Sequence, residues 1–176
     1  MEISDILDFM KKSNNFNVRQ KSLNKNLPLV ENGHKIPDDV IKFYGLCNGV
    51  DCYIGDYGED NGGFPINILP VEKILPSAKV INAGLCIDKV IEITSSWYVI
   101  ADCYDGNYIT IDFDKNRLGR CYESFEYTHG SIGDCKIVAR SFTEFLEHLI
   151  KYDGGFFYWD ENPDFNSYGD AFDELL

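Results

Sequence analysis

Between Ser96 and Phe113 the chain reads SWYVIADCYDGNYITIDF, and no other stretch restricts the fold so tightly. The first half, SWYVIADC, is nearly all apolar, as a central strand buried on both faces must be. Asp105-Gly106 supplies the positive backbone angles of a tight hairpin turn. The second half, NYITIDF, alternates and so sets Ile109, Ile111 and Phe113 on one side. Beyond a charged turn, DKNRLG, the chain returns as RCYESF, and CKIVA is a further short strand.

Helices flank this meander. Residues 2–12 form a short amphipathic helix, with Ile3, Ile6, Leu7 and Met10 at helical spacing. A polar connection rich in Asn and Lys, residues 13–26, follows. In KIPDDVIKFYGLCNGV, Pro37 suits a first helical turn, where its missing N–H would be unpaired anyway. Asp38 and Asp39 lie against the positive end of that helix dipole. Val40, Phe43, Tyr44 and Cys47 share one face, and Asn48-Gly49 is the left-handed stop. DCYIGDYGEDNGGFP, residues 51–65, reads as a long acidic, Gly-rich loop. INILPV then reads as a strand and residues 71–82 as a helix. Ser141 and Glu144 form a capping box, so SFTEFLEHLIKY is a helix burying Phe142, Phe145, Leu146 and Leu149, and Gly154-Gly155 ends it. Helices, a run of strands, then a helix define an α+β fold around a mostly antiparallel central sheet. No internal repeat interrupts it, and 176 residues make a single domain, 1–176.

Charge limits what such a domain meets. The net charge is -13, unevenly placed: +2 over residues 1–35, -8 over 36–151 and -7 over 152–176. Nucleic-acid affinity rests on neutralising phosphates with Lys and Arg, so direct DNA or RNA binding is not expected. A basic protein is the natural complement. The first residues are acidic and lack a continuous apolar run, so they do not read as a signal peptide, and no stretch reads as a membrane span. The expectation is a soluble, cytoplasmic chain, monomeric unless a surface says otherwise. Six cysteines lie mostly in apolar runs and read as small buried hydrophobes. No C-x-x-C pair occurs, and Cys47, Cys52 and His34 are too loose a grouping for a zinc site, so no metal or other cofactor is expected.

Chemical motifs fare no better. DFDKNRLGRCYE places Asp112, Asp114, Asn116 and Glu123 at the ligand positions of a calcium-binding EF-hand loop. Position 6 must be glycine for the sharp turn, yet here it is Arg117, a cation beside the would-be ion, and both flanks read as strands. A charged hairpin turn explains the same letters. His148 reads as a solvated helix residue. His129, in YTHGSIG, and His34 sit among turn residues with no identifiable catalytic partner. No phosphate-cradling glycine motif appears, and no catalytic residue is assigned.

Two stretches invite a binding role. The loop 51–65 sets Asp56, Glu59 and Asp60 beside Tyr53 and Tyr57; these are either solvated charges or a contact surface. The ending, GGFFYWDENPDFNSYGDAFDELL, has four rings in a row, seven acids after Tyr152, and no Lys or Arg. Four adjacent exposed rings would aggregate, so some of them pack against the sheet. Packing alternate rings and turning the others outward satisfies both the rings and the acids.

Taken together, IPDDVIKFYGLCNGV, YVIADCYDGNYITIDF, GRCYE, SFTEFLEHLI and YWDENPDFNSYGDAFDE resemble the SUKH superfamily of SMI/KNR-type proteins. That group joins bacterial immunity proteins to fungal regulators of cell-wall synthesis. The similarity covers roughly residues 27–176, leaves the helix and linker of 1–26 unassigned, and has no clear anchor over 72–96. It implies an α+β fold and a non-enzymatic role, usually binding and neutralising a cognate toxin domain, often a nuclease. On that reading Tyr53, Tyr57, Tyr158, Trp159 and Tyr168 are candidate contact rings, with Asp56, Glu59, Asp60, Asp160, Glu161 and Asp164 supplying the field for a basic toxin domain. The alternatives are an interaction module for a host protein, as in the fungal regulators, and a small hydrolase using His129 or a cysteine.

Overall fold

The computed structural model describes residues 1–21, 27–28, 30–31, 33–52, 65–81, 93–152, 158–161, 165 and 168–173. Seven strands form one sheet in chain order, every neighbouring pair antiparallel: β1 Phe16–Val18, β2 Val50–Cys52, β3 Asn67–Ile68, β4 Trp97–Asp102, β5 Asn107–Asp112, β6 Cys121–Phe125 and β7 Ile137–Ala139. The hairpin read from the sequence is its centre. β4 is buried along all but its last residue, because it lies mid-sheet with a layer over each face. The chain turns through Tyr104 (φ 72°), Asp105 (φ 52°) and Gly106 (φ 77°), all left-handed, with the Asn107 N–H donating to Tyr104 O at 3.0 Å and the Cys103 N–H to Asn107 O at 2.8 Å.

Three helices cover one face: α1 Ile3–Lys12, α2 Asp38–Leu46 and, later in the chain, Phe142–Lys151. Between the last two come a 3₁₀ turn, Val71–Lys73, and α3 Ser77–Val80, so Phe142–Lys151 is α4. Ile6, Leu7 and Met10 of α1, Val40 and Phe43 of α2, and Phe142, Phe145, Leu146 and Leu149 of α4 meet Ile68, Tyr98, Ile100, Ile109, Ile111 and Val138 of the sheet in one core. The opposite face carries a second, smaller core in which the Trp97 ring stacks on Tyr122 at 4.2 Å, joined by Ile93, Cys135, Ile137, Ala171 and Phe172. Alternation sets this up: Trp97 and Tyr98, Tyr122 and Cys121, and Ile137 and Val138 are strand neighbours that belong to different cores.

The structure departs from the sequence reading at the short elements. β1 lies inside the supposed polar connection of 13–26, and β2 begins where a loop was expected. The helix of 71–82 is the 3₁₀ turn plus α3, the strand INILPV shrinks to Asn67–Ile68, and Cys47 is the residue after α2 rather than part of it. Tertiary bonds decide these places. Arg19 donates to Asp51 through Nε at 3.1 Å and again through Nη2, and through Nη1 to Ile68 O at 3.0 Å, tying together the segments of β1, β2 and β3. Gly49 permits this convergence: its φ is +95°, and a Cβ there would lie 2.5 Å from Ile68 O. The capping box is present in altered form. Ser141 Oγ accepts from Glu144 N at 3.1 Å, while the Glu144 carboxylate reaches Arg140 N, one residue before the usual partner.

Candidate partner-binding surface

Of the tail rings expected at a contact surface, Tyr158 and Trp159 are buried instead. A short helix, α5 Tyr158–Glu161, sets Tyr158 and Trp159 into the main core, only 2% and 6% exposed. Tyr158 donates its hydroxyl to Val138 O at 2.8 Å and stacks on Tyr152 (5.1 Å) and His148 (4.9 Å). Those two rings therefore anchor the chain end and are not presented to a partner. Tyr168 is half-buried, its hydroxyl donating to Glu144 Oε1 at 2.8 Å and its ring lying under the Arg140 guanidinium at 4.2 Å. Asp170 accepts from Cys135 N and Phe172 N, and Asp173 from Asp170 N, so these tail acids act locally as turn-makers. Asp160 and Glu161 complete α5. Tyr53, Asp56, Tyr57, Glu59, Asp60 and Asp164 lie outside the described residues.

The same packing corrects the reading of His148. Its ring is half-buried among Tyr152, Tyr158 and Phe165, Nε2 has no hydrogen-bond partner, and desolvation lowers its pKa. His129 is buried too, edge-on to Trp97 at 5.6 Å with Nδ1 unpartnered, and desolvation lowers its pKa to about 4. His34 Nδ1 pairs with the Tyr98 hydroxyl at 2.9 Å. Cys47, Cys52, Cys103, Cys121 and Cys135 are buried free thiols. Desolvation raises each, Cys47 to about 11 and Cys52 and Cys135 to about 12, which suppresses the thiolate a nucleophile needs.

The calcium look-alike resolves into an internal ion pair. Asp112 is fully buried, and Arg117 Nε donates to its Oδ2 at 2.8 Å from position 6 of the lapsed motif. Ser96 Oγ (2.6 Å), Trp97 Nε1 (3.1 Å), Asp114 N (2.8 Å) and Tyr122 Oη (3.3 Å) complete its donors. A guanidinium thus supplies the positive charge a metal would bring. Among the described residues no group of three or more His, Cys, Asp or Glu is placed to hold a metal ion.

An acidic and aromatic surface exists elsewhere, at the end of the sheet where β4 turns into β5 and β6 runs out. Tyr127 is 92% exposed, Tyr104 59% and Ile132 57%. Asp105, Glu126 and Asp134 are exposed beside them. Glu126 N donates to Gly106 O at 3.0 Å, which joins the two turns. Tyr108 lies between Asp102 and Glu126; burial, and then those two carboxylates, raise its pKa. The described ion pairs engage none of Asp105, Glu126 and Asp134. Asn67, which opens β3, pairs with Asp102, and Cys52 N donates to Asn67 Oδ1 at 3.0 Å. Both ends flanking the acidic stretch 53–64 therefore meet this end of the sheet. The sequence signal for Tyr127 was available, an aromatic in a polar turn, but it was eclipsed by the denser tail.

A family model described as the SMI1/KNR4 family (SUKH-1) matches residues 30–148, from just before α2 well into α4. The chain belongs to the SMI1/KNR4 family. The α+β fold with its antiparallel sheet is that of a SUKH-1 protein, as the resemblance implied. The chain is 33% identical over 149 residues to "Immunity protein YokJ" of Bacillus subtilis (strain 168), which covers 85% of this chain and 84% of that protein. No solved structure is significantly similar. Among the described residues, no helix of this SUKH-1 protein is long and apolar enough to cross a membrane.

Proposed function

We propose that this SUKH-1 protein is an immunity protein that binds and neutralises the toxin domain of a polymorphic or contact-dependent toxin. The observation that carries the proposal is the similarity to a protein named for immunity over 84% of that protein's length. Charge supports the finer reading, a basic, nuclease-type toxin. A nuclease groove must be positive to hold its substrate, and a partner of net charge -13 competes for it. The mechanism is occlusion: long-range attraction speeds encounter, and a few desolvated rings hold the complex. The chain's own chemistry favours binding over catalysis, since its described thiols are buried and protonated and its fully buried Asp112 is paired with Arg117.

Co-expression with the C-terminal domain of whatever large secreted polypeptide is encoded beside this gene tests the proposal. Survival of cells that otherwise die, together with co-purification of the two chains, is the expected result. Death of the co-expressing cells, with no complex recovered, sinks it. A stable complex with a host protein and no rescue would instead identify a regulatory module of the fungal kind.

A further inference from the structure

We infer that the toxin contact lies on the β4–β5 and β6–β7 turn end of the sheet, centred on Tyr127, and that its occupant is a cationic protein surface. This assignment rests on the immunity reading above and names the face that reading leaves open.

Tyr127 carries the argument. A ring 92% exposed contributes nothing to folding, yet the loop that holds it is firmly built. Thr128 N and His129 N both donate to Phe125 O (3.0 and 2.8 Å), Ser131 N to Thr128 O (2.9 Å) and Gly130 N to Cys135 Sγ (3.2 Å). The His129 ring, two residues from Tyr127, is sunk edge-on against Trp97. With the loop backbone already fixed, binding has only the two side-chain torsions of Tyr127 left to order, and Tyr is enriched among the residues that dominate interface energies. Tyr104, in the β4–β5 turn, and Ile132, in the β6–β7 turn, are further exposed large hydrophobic groups at this end of the sheet. Asp105 adjoins Tyr104, Glu126 adjoins Tyr127 and Asp134 lies two residues from Ile132, all three exposed and outside the described ion pairs, so no described ion pair offsets the field they offer a partner. The tail offers the reverse: Tyr158 and Trp159 are core, and Tyr168, Asp170 and Asp173 are engaged within the chain.

The test measures binding kinetics with the purified toxin domain that the co-expression experiment recovers. Tyr127→Ala is expected to weaken binding about tenfold or more, chiefly through faster dissociation. Glu126→Lys with Asp134→Lys is expected to slow association several-fold at about 50 mM salt and to flatten its salt dependence. Asp5→Lys with Asp8→Lys on α1 makes the same change in net charge far along the chain and is expected to bind nearly as wild type. Thermal melts within about 2 °C of wild type show that each variant is folded. Wild-type kinetics in the Tyr127 and Glu126/Asp134 variants overturn this surface while leaving the immunity role intact. Equal losses from the α1 pair would show that total charge, not this face, matters, and would also overturn it. No binding by the wild type overturns the immunity reading and this assignment with it.

Discussion

Asp112 shows how one residue's letters mislead and its neighbours correct them. Spacing placed it first in a calcium loop, and Arg117 argued against the ion; the structure shows Arg117 bonded to that very carboxylate. Asp112→Ala strands Ser96, Trp97 and Tyr122 as donors and leaves Arg117 without its buried partner. A loss of about 3 kcal/mol is expected in urea unfolding, the range for breaking a buried pair from one side. A loss below about 1 kcal/mol would show the network to be incidental. His129 makes a second expectation at this scale. Its folded-state pKa, near 4, is below the ordinary 6.5, so the unfolded chain binds a proton that the folded chain refuses between those values. Stability from this group is full above about pH 6.5 and is lost as pH falls toward 4, by up to about 3 kcal/mol. His129→Phe should therefore lose less stability than wild type between pH 7 and about 4.5, and parallel curves for the two proteins would refute the assignment. Nothing in YTHGSIG announced this burial, because what dries the ring is Trp97, distant in sequence.

At the scale of elements, legibility followed length and local chemistry. α1, α2 and α4 each carry a full apolar stripe, and the β4–β5 hairpin carries its own turn, so all four could be read from nearby residues. β1, β2 and β3 have three residues or fewer, too short for any period to show, and their existence depends on pairing with strands far along the chain. Asp39 joins the two regimes. The sequence assigned it to the dipole of its own helix, but its Oδ2 also accepts from Thr143 N (2.9 Å) and Thr143 Oγ1 (3.1 Å) in the first turn of α4. It thus serves as a second cap for a helix 104 residues away. Asp39→Ala is expected to cost about 1–2 kcal/mol, the scale of a lost cap. Thr143→Ala should cost less, because its backbone N–H keeps the carboxylate. A double-mutant cycle should return a coupling of about 0.5 kcal/mol or more; strict additivity would mean that the two helices do not communicate through this bond.

Across the whole molecule, one excess of charge has two consequences of opposite sign in salt. Within the chain, a net -13 concentrates like charges that repel one another, while the described ion pairs are few, some partly buried, such as Arg117 with Asp112 and Arg19 with Asp51, and others exposed, such as Lys11 with Asp8. Screening therefore relieves more repulsion than it weakens attraction. The melting temperature of the isolated protein should rise by a few degrees between about 10 and 300 mM NaCl. Between chains the sign reverses. The same screening weakens the field that would draw in the proposed basic partner, so its association should slow by about tenfold or more over that range, while dissociation, set by rings that the complex would bury, changes little. The two measurements together separate explanations that either alone confuses. Salt that stabilises the protein and slows association identifies an unbalanced surface whose complement lies on another molecule. If salt instead lowered the melting temperature, the acids would be satisfied within the fold. An electrostatic partner would then have lost its physical reason.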